Sequence, residues 1–486
     1  MSIRHYVLFA TDGFVYLPID KTLCPSPKSR KKVYILGFIG GLFKVNDKII
    51  NPKLDWSNRK NWKNILDMKG NATIPSPLIF GEVGDRIYIT LINLGMKERP
   101  NLMDYHTIHM HGAHVPTQLD GFPETSFGVP VWTNYKNPPP NMTYFFQPEI
   151  PGTLMYHCHV EASEHIQMGM YGGLIVYPSK ESLFKAGIKQ NSNGVWFFKG
   201  IPQPQIPKSA SNRNFAYNNI HTYFDKEYVM LLSDVDSVWH DNVNKGIFFD
   251  AANYKPDFWL INGRSFPDTL LPHPLSLLYN ESESDFVQIN YESFVRVETD
   301  QKFLLRMINM GYQVVPWHIH GWHFTIIGKD SHLDPFIKLS SLFQLDESFH
   351  NEIKNKGFTV SIGSGETYDL LLNADDKRFE YLNYITRGQD GFPSFCSQLK
   401  KLYKADSKSV FNIPTEPVKC KSPELINYLQ ICQQPIIDLN DKFFPQFYPM
   451  HNHDDYKITN KGIYPGGQLT YIQTDTPDYY VDDDIN

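Results

Sequence analysis

The sequence lacks the marks of several large protein classes. Its 486 residues carry a formal net charge of −6 and its pI is about 6.3, so we expect no nucleic-acid partner and no attraction to an anionic membrane. No apolar run reaches the roughly 18 to 20 residues that a membrane-spanning helix needs. The longest candidate, residues 33–43, is shorter, and we expect it to be a buried strand. The chain is therefore predicted to have no membrane span.

Sulfur is scarce in this chain. It has five cysteines, and its 13 methionines are scattered rather than clustered. Cys396, Cys420 and Cys432 fall within one stretch, where a disulfide can form, but its pairing cannot be assigned from the sequence. The N-terminal residues show no secretion signal, so the sequence leaves the location of the protein open.

What the sequence does contain favours an all-β fold. Aromatic residues make up 14% of the chain, and 34 prolines and 31 glycines are spread along it, which fits short strands that alternate with turns. Residues 79–93 have the pattern of two strands joined by a turn, and residues 295–309 repeat this layout. We therefore predict two β-sandwich domains that arose by internal duplication.

The duplication sets the predicted domain boundaries. We assign residues 1–178 to a first domain, residues 179–225 to a linker and residues 226–486 to a second domain. The linker is polar, and its Pro-rich residues 201–207 are typical of an extended connection. The second domain contains a partly helical insertion at about residues 373–447. A structureless loop of that length would be unusual, so we expect a small subdomain there, and a variable surface insertion is an equal alternative.

Histidine is concentrated in four short segments. Twelve of the 18 histidines lie in residues 106–114, 157–165, 318–323 and 451–453. Each segment contains a His-x-His unit, and side chains two residues apart on a strand point to the same face. Each unit therefore offers one metal site two imidazoles, and imidazole is the commonest metal ligand.

One group of residues has the chemistry of an electron-transfer copper site. Cys158 lies between two histidines, so its side chain must point away from theirs. With His106, His165 and Met170 it offers one thiolate, two imidazoles and a thioether, the donor set of a trigonal copper site with a weak axial ligand. An isolated cysteine is more often a buried apolar residue, but the surrounding histidines argue against that reading here.

The four His-x-His units supply eight paired imidazoles, two units in each repeat. Eight imidazoles exceed the number that one tetrahedral metal ion can use. They would suit a cluster of three copper ions with open positions for a small ligand. The eight candidate ligands are His109, His111, His157, His159, His318, His320, His451 and His453.

These motifs resemble those of multicopper oxidases, the family of laccases and ferroxidases. The segment with His106, His109 and His111 resembles the family's His-x-x-His-x-His-Gly motif, and residues 157–159 resemble its His-Cys-His motif. The resemblance implies two cupredoxin-like Greek-key domains. It also implies four copper ions per chain. One would be a type 1 copper bound by His106, Cys158, His165 and Met170, and the other three would form a trinuclear cluster at the eight paired histidines. Such an enzyme couples one-electron oxidation of a substrate to four-electron reduction of dioxygen to water.

The chain departs from three-domain laccases in two respects. His165 follows Cys158 by seven residues, whereas the spacing is five in many laccases. The type 1 ligands lie in the first domain, which resembles two-domain oxidases and copper nitrite reductases, trimers with an active site between neighbouring chains. Because each repeat supplies half of the paired histidines, the cluster must form at an interface between repeats. That interface lies within one chain or between the chains of a homotrimer.

The proton donor and the reductant are less well defined. Asp120 resembles the family's acidic residue near the cluster and is our candidate for proton delivery, although a structural aspartate in a turn is an equal alternative. Glu161 and Glu164 lie beside the type 1 ligands and could attract a metal cation, but solvated loop charges are the commoner role. Phenols, aromatic amines and metal ions all stay open as reductants, with dioxygen as the acceptor.

Two other functions fit parts of the sequence. A copper nitrite reductase would share the fold and the type 1 site, but its second site uses three imidazoles and has no use for eight. A copper-sequestering or resistance protein would be expected to carry methionine-rich runs, which this sequence lacks. We therefore expect an oxidase, and the habit of the family suggests a periplasmic or secreted protein.

Overall fold

The computed structural model describes residues 1–19, 30–270, 292–343, 355–375, 387–388, 390–394, 397–398, 401 and 446–474. Cys396, Cys420 and Cys432 lie outside these residues, so whether two of them form a disulfide stays open. Most of the predicted insertion at residues 373–447 lies outside them as well.

The first repeat consists of strands with two short helices between them. Its elements are β1 (Ile3–Pro18), β2 (Arg30–Val45), β3 (Lys48–Ile49), α1 (Trp62–Asp67), β4 (Ile79–Glu82), β5 (Arg86–Asn93), β6 (His109–His111), β7 (Asn141–Phe146), β8 (Gly152–His157), α2 (Ala162–Met168) and β9 (Tyr171–Tyr177). They form two sheets, with the strand orders β3-β2-β1-β5-β7 and β4-β9-β8-β6. The apolar run at residues 33–43 lies within β2 and is mostly buried, as predicted.

The alternation of apolar and polar residues explains the pairing of the strands. Ile87, Ile89 and Leu91 of β5 point to one face and have no exposed surface. They pack in one core with Tyr6 and Leu8 of β1 and with residues of β8 and β9. Because β8 and β9 belong to the other sheet, this core lies between the two sheets. Burial of each such side chain stabilises the fold by roughly 1.5–3 kcal/mol.

Residues 179–225 do not form the extended linker that the sequence predicts. They fold into α3 (Lys180–Lys185) and a small sheet of β10 (Ile188–Gln190), β11 (Trp196–Phe198) and β12 (Ile201–Pro202). The rings of Trp196 and Phe215 are buried with their centroids 5.0 Å apart, in an apolar core of their own. The apolar residues of this core are spaced irregularly over residues 183–223, so no helix or strand period in the sequence predicts it. The domain boundaries themselves stay a prediction.

The second repeat contains the remaining described elements. They are β13 (Lys226–Val235), α4 (Ser237–Lys245), β14 (Phe258–Ile261), β15 (Val295–Val297), β16 (Lys302–Asn309), β17 (Val315–Ile319), β18 (Phe324–Lys329), β19 (His332–Leu333), α5 (Pro335–Phe343), β20 (Lys356–Gly357), β21 (Thr359–Ile362), β22 (Thr367–Asn373), β23 (Gln446–Asn452) and β24 (Leu469–Thr474). One sheet has the order β14-β13-β16-β22-β18-β19, with β20 also paired to β18, and the other has the order β15-β24-β23-β17-β21. Within the described residues, no helix is long and apolar enough to cross a membrane.

The two repeats share one topology. β1 runs parallel to β5 and antiparallel to β2, and β13 has the same relation to β16 and β14. Asn93 at the end of β5 and Asn309 at the end of β16 also make matching hydrogen bonds. Each donates from its side chain to two backbone carbonyls and accepts from the amide two residues further on. The predicted all-β fold with two duplicated β-sandwiches is confirmed.

A buried polar network joins the two repeats. Arg306 of β16 has no exposed surface, and it donates to a carboxylate oxygen of Glu227 at 2.7 Å and to the hydroxyl of Thr153 at 3.0 Å. Thr153 in turn donates to Asp369 of β22 at 2.6 Å. Because Thr153 belongs to the first repeat and the charged groups belong to the second, this network fixes how the two repeats pack together.

Candidate metal centres

Four residues that the sequence singled out meet at the end of β8. Cys158 directly follows β8, His106 lies in the connection before β6, and His165 lies in α2. The Nδ1 atoms of His106 and His165 are 3.7 and 3.4 Å from Cys158 Sγ. The backbone carbonyl of Met170 accepts a hydrogen bond from the Cys158 amide at 3.0 Å. We call these residues the sulfur site: His106, Cys158, His165 and Met170.

The sulfur site is shielded from solvent, because none of its four side chains has exposed surface. Burial by itself would raise the pKa of the Cys158 thiol, but the imidazoles of His165 and His106 outweigh burial and hold that pKa well below its ordinary value. Burial likewise opposes charge on His165, yet the Cys158 thiolate and the Asp104 carboxylate raise its pKa to about 10. The site therefore favours the thiolate, which is the form of cysteine that binds metal ions.

Helix α2 explains how His165 reaches Cys158 across seven residues. Before the helix the backbone turns at Glu161, which has the left-handed φ of 43°. After the helix it turns again at Gly169, which has a φ of 114°. These two turns fold the segment back, so that His165 and Met170 both return to Cys158. The wider spacing therefore changes the connection but does not separate the side chains.

Four histidines lie together at one end of the first repeat. His109 on β6 pairs directly with His157 on β8, and the centroids of these two rings are 5.0 Å apart. The Nδ1 atom of His157 lies 2.9 Å from the Cys158 carbonyl oxygen. An imidazole that donates from Nδ1 to a carbonyl keeps the lone pair of Nε2 free for a metal ion. We call this group the first quartet: His109, His111, His157 and His159.

Burial keeps the deepest ring of the first quartet neutral. It lowers the pKa of His157 to about 3 and also lowers the pKa of His111. The Nδ1 atom of His111 lies 3.5 Å from the Nε2 atom of His157. Neutral imidazoles are the form that binds metal ions, so the first quartet is suited to binding.

The second repeat contains an equivalent group. His318 on β17 pairs directly with His451 on β23, and the Nε2 atoms of His320 and His451 are 3.1 Å apart. The Nδ1 atom of His451 lies 2.9 Å from the backbone carbonyl oxygen of Asn452, the same local contact that His157 makes with the residue that follows it. We call this group the second quartet: His318, His320, His451 and His453.

The two quartets are separate in this chain. Ring contacts link the members of each quartet, and among these eight described histidines no ring contact joins one quartet to the other. His320 and His453 are exposed, and the other rings except those of His157 and His451 are partly exposed. Each quartet therefore presents imidazoles at the surface of the chain.

Asp120 contacts the first quartet through His109. Its backbone carbonyl oxygen lies 2.8 Å from the Nδ1 atom of His109, and its carboxylate lies 3.3 Å from the same atom. Asp120 also ends a short turn of helix at Thr117–Leu119. The structure thus places it both in a turn and beside a candidate ligand, and its role in proton delivery stays a prediction.

Sequence reasoning missed Asp104, an acid in the connection that leads to β6. Its Oδ2 atom lies 3.7 Å from the Nε2 atom of His165, and Asp104, Glu161 and His165 each place a potential ligand atom within 4.8 Å of the others. Glu161 is exposed and Asp104 is partly exposed. Glu164 differs, because it is partly buried and accepts a hydrogen bond from Trp239 at 3.4 Å. The signal in the sequence was an acid close to a candidate ligand, which is too common to stand out.

The donor atoms of these groups fit copper. In the sulfur site, donor atoms of His106, Cys158 and His165 lie within 4.8 Å of one another, as do those of three histidines in each quartet. A thiolate with imidazoles favours copper over the hard cations that prefer oxygen. Imidazoles alone suit copper as well, so one metal can serve both kinds of site.

Comparison with known sequences also indicates a copper protein. Residues 62–181, which include the sulfur site and the first quartet, match the family model of multicopper oxidases. Copper resistance protein A of Escherichia coli is 33% identical over 107 residues, which are 22% of this chain and 15% of that protein. Copper resistance protein A of Pseudomonas syringae pv. tomato is 30% identical over 116 residues, 24% of this chain and 16% of that protein. The chain thus matches only a small part of the length of these curated relatives.

Solved structures share the fold over nearly the whole chain. The blue copper oxidase of Nitrosomonas europaea has a TM-score of 0.51 and 21% identity, with 99% of this chain and 90% of that chain covered. The multicopper oxidase mgLAC has a TM-score of 0.50 and 18% identity, with 99% and 91% covered. At these identities the likeness concerns the fold. The comparisons thus show a multicopper oxidase sequence match in residues 62–181 and a shared fold over nearly the whole chain.

Proposed function

We propose that this protein is an oxidase that couples one-electron oxidation of a substrate to four-electron reduction of dioxygen to water. The observation that carries the proposal is the position of Cys158, in the sulfur site, between His157 and His159 of the first quartet. Adjacent residues of one chain therefore join the two kinds of site. Four copper ions per chain, one at the sulfur site and three at the quartets, would supply the redox chemistry.

The residues of the sulfur site and of the quartets would have different roles in this reaction. The burial of Cys158 keeps water and dioxygen away from its thiolate. The partly exposed rings of the quartets leave room for dioxygen to approach. We assign proton delivery to Asp120, and its carboxylate 3.3 Å from the Nδ1 atom of His109 supports this assignment.

The separation of the quartets favours a site shared between chains. Each quartet supplies half of the eight imidazoles that a cluster of three copper ions would use, and each presents rings at the surface. A ring of identical chains in which the first quartet of one copy faces the second quartet of the next would complete every site. We therefore propose a homotrimer with one trinuclear site at each interface.

Complementation between defective chains tests the shared site. Co-expression of a His109→Ala chain with a His451→Ala chain should restore oxygen uptake that neither variant shows alone, to about a quarter of the wild-type level if trimers assort at random. A site within one chain predicts no rescue. Sedimentation of the mixture checks that the variants still assemble, and a monomeric wild-type protein would contradict the shared site directly.

Among the open classes of reductant, the geometry favours a small metal cation. Asp104 and Glu161 each place a carboxylate oxygen within 4.8 Å of a ring nitrogen of His165, and the Asp104 oxygen lies 3.7 Å from its Nε2 atom. The Nδ1 atom of His165 faces Cys158 Sγ at 3.4 Å. Because His165 has no exposed surface, a flat phenol cannot lie against its ring, whereas a cation held by the carboxylates is one imidazole away from the sulfur site. The curated relatives are named copper resistance proteins, a name that is compatible with a metal-ion substrate.

Substrate kinetics test this preference. The Asp104→Asn/Glu161→Gln variant should raise the KM for Fe(II) or Cu(I) at least about tenfold, an effect of about 1.4 kcal/mol in binding, and change the KM for a neutral phenol little. Glu149→Gln is the control, because Glu149 is also an exposed acid but lies in the connection between β7 and β8. Equal losses for cations and phenols would contradict a cation site.

The copper content separates the oxidase from its main alternative. Copper-reconstituted, dialysed wild-type protein should contain four copper ions per chain and consume oxygen with a reductant. Two ions per chain, together with nitrite reduction, would favour the nitrite reductase reading despite the extra histidines. No copper, or one ion per chain, would contradict the proposed function.

A further inference from the structure

We propose that the second repeat sets the geometry of the sulfur site through helix α2, with Gln167 and Tyr312 as positioning residues. Neither residue belongs to the proposed ligand set, and Tyr312 lies in the other repeat. The inference rests on the proposed function in one respect, because it takes the sulfur site as the place where the thiolate-bound copper ion is held.

Gln167 ties the end of α2 to the second repeat. Its side chain is 4% exposed, and it donates to the backbone carbonyl of Asp234 at 3.1 Å and to the carboxylate of Asp234 at 3.3 Å. It also accepts a hydrogen bond from the backbone amide of Asp236 at 2.9 Å. Both aspartates lie where β13 leads into α4, so both ends of the Gln167 amide are held by the second repeat.

Tyr312 ties the beginning of α2 to the same place. Its hydroxyl donates to the backbone carbonyl of Ser163 at 2.5 Å, and its backbone amide donates to the carboxylate of Asp234 at 2.9 Å. A third contact comes from Trp239 of α4, which donates to Glu164 at 3.4 Å. One buried aspartate therefore holds both Gln167 and Tyr312, and the second repeat contacts α2 along its length.

The first repeat has an equivalent aspartate with a simpler role. Asp12 of β1 accepts hydrogen bonds from the amides of Lys97 and Glu98 and from the hydroxyl of Tyr34. Asp234 of β13 makes the matching bonds to the connection after β16. The second repeat differs because its aspartate also accepts from Gln167, and this added bond is what reaches the helix that carries His165.

Helix α2 depends on such external contacts. It has seven residues and no side-chain hydrogen bond at its N-cap, where Glu161 is left-handed. Isolated helices of this length are unstable in water, so tertiary contacts must hold α2 in place. Strand β2 of the first repeat also packs against α2, and the second repeat adds the side-chain hydrogen bonds. Because His165 moves with the helix, these hydrogen bonds help to set the distance from its Nδ1 atom to Cys158 Sγ. Partners beyond the ligands commonly orient metal-bound histidines in this way.

Spectroscopy of the copper-loaded full chain tests the proposal. Tyr312→Phe removes one hydroxyl, and Gln167→Met removes the amide while it keeps the volume. Each variant should shift the thiolate-to-copper absorption band and the copper hyperfine splitting in the paramagnetic resonance spectrum, at unchanged copper content. Tyr228→Phe is the matched control, since Tyr228 is a buried tyrosine of the second repeat whose hydroxyl donates to the carbonyl of Arg296 in β15 at 2.8 Å.

The outcomes distinguish this inference from the proposed function. Unchanged spectra in both Tyr312→Phe and Gln167→Met would overturn the inference, and so would an equal spectral change in Tyr228→Phe. A copper-loaded wild-type chain without a thiolate-to-copper band would instead overturn the proposed function. If Gln167→Met does not fold, Trp239→Phe replaces it, because this variant removes the hydrogen bond to Glu164 and keeps an aromatic ring in the core.

Discussion

Cys158 is the residue on which both proposed copper centres depend. Its side chain lies in the sulfur site and its two neighbours in the chain lie in the first quartet. Cys158→Ser should abolish the intense visible absorption of the thiolate–copper bond, because a serine hydroxyl does not replace a soft thiolate ligand. Copper bound to the quartets should remain, so elemental analysis should show a loss of one ion per chain. Retained colour would place the thiolate-bound copper elsewhere.

His157 makes the metal-free protein sensitive to acid. Burial lowers its folded-state pKa to about 3, below the ordinary value of about 6.5. Between these values the unfolded chain binds a proton at this position and the folded chain does not, so stability falls as the pH falls from about 6.5 to about 3. The contribution of this one group approaches about 1.4 kcal/mol per pH unit within that window.

Denaturant unfolding of the metal-free protein measures this effect. His157→Gln should give a shallower loss of stability between pH 6.5 and pH 4 than the wild type, because one proton fewer is taken up on unfolding. His114→Gln is the control, since His114 is an exposed histidine of the same segment. The assignment to His157 fails if both variants follow the wild-type pH dependence.

At the scale of elements, the return of α2 to the sulfur site depends on Gly169. This glycine has a φ of 114°, and an added Cβ would lie 2.3 Å from Ile74 Cδ1 and 3.1 Å from the Leu36 carbonyl oxygen. Gly169→Ala should therefore destabilise the protein by about 1–3 kcal/mol through strain and overpacking, and it should shift the visible copper band because Met170 follows directly.

Gly200→Ala is a suitable control for that variant. Gly200 has a φ of 87° but no atom within 4 Å of an added Cβ, so it carries the backbone strain without the clash. We expect it to cost about 1–2 kcal/mol and to leave the copper spectrum unchanged. Equal effects of the two substitutions on the spectrum would show that position 169 has no special link to the sulfur site.

The elements that the sequence predicted well are those with a local signal. The alternation of apolar and polar residues predicted β5 and β16. The His-x-His spacing predicted that the two histidines of each unit share a face, and in the structure His109 pairs with His157 and His318 with His451. The small core around Trp196 and the helix α2 gave no such signal. In both, distant contacts stabilise a short element, so a window of neighbouring residues contains too little information. Gln167 was missed for the same reason, whereas Asp104 was missed because an acid close to a candidate ligand such as His106 is too common to stand out.

At the scale of the whole molecule, the packing of the two repeats matters for two proposals: the support of α2 and the placement of the quartets. The second repeat braces α2, and the arrangement of the repeats decides where each quartet faces. Arg306, Glu227, Asp369 and Thr153 form the buried network at this interface. A buried ion pair contributes little net stability, but the removal of one partner leaves an uncompensated charge.

Arg306→Met should therefore destabilise the protein by about 3–5 kcal/mol, because it leaves the carboxylates of Glu227 and Asp369 buried without their cation. Since Arg306 also bonds to Thr153 of the first repeat, the variant should loosen the contact between repeats, shift the visible copper band and separate the unfolding of the two repeats into two transitions. Arg4→Met is the matched control: Arg4 pairs with Asp85 at 2.7 Å, equally buried but within the first repeat. If both variants unfold in one transition with an unchanged copper spectrum, the network stabilises the fold without coupling the repeats.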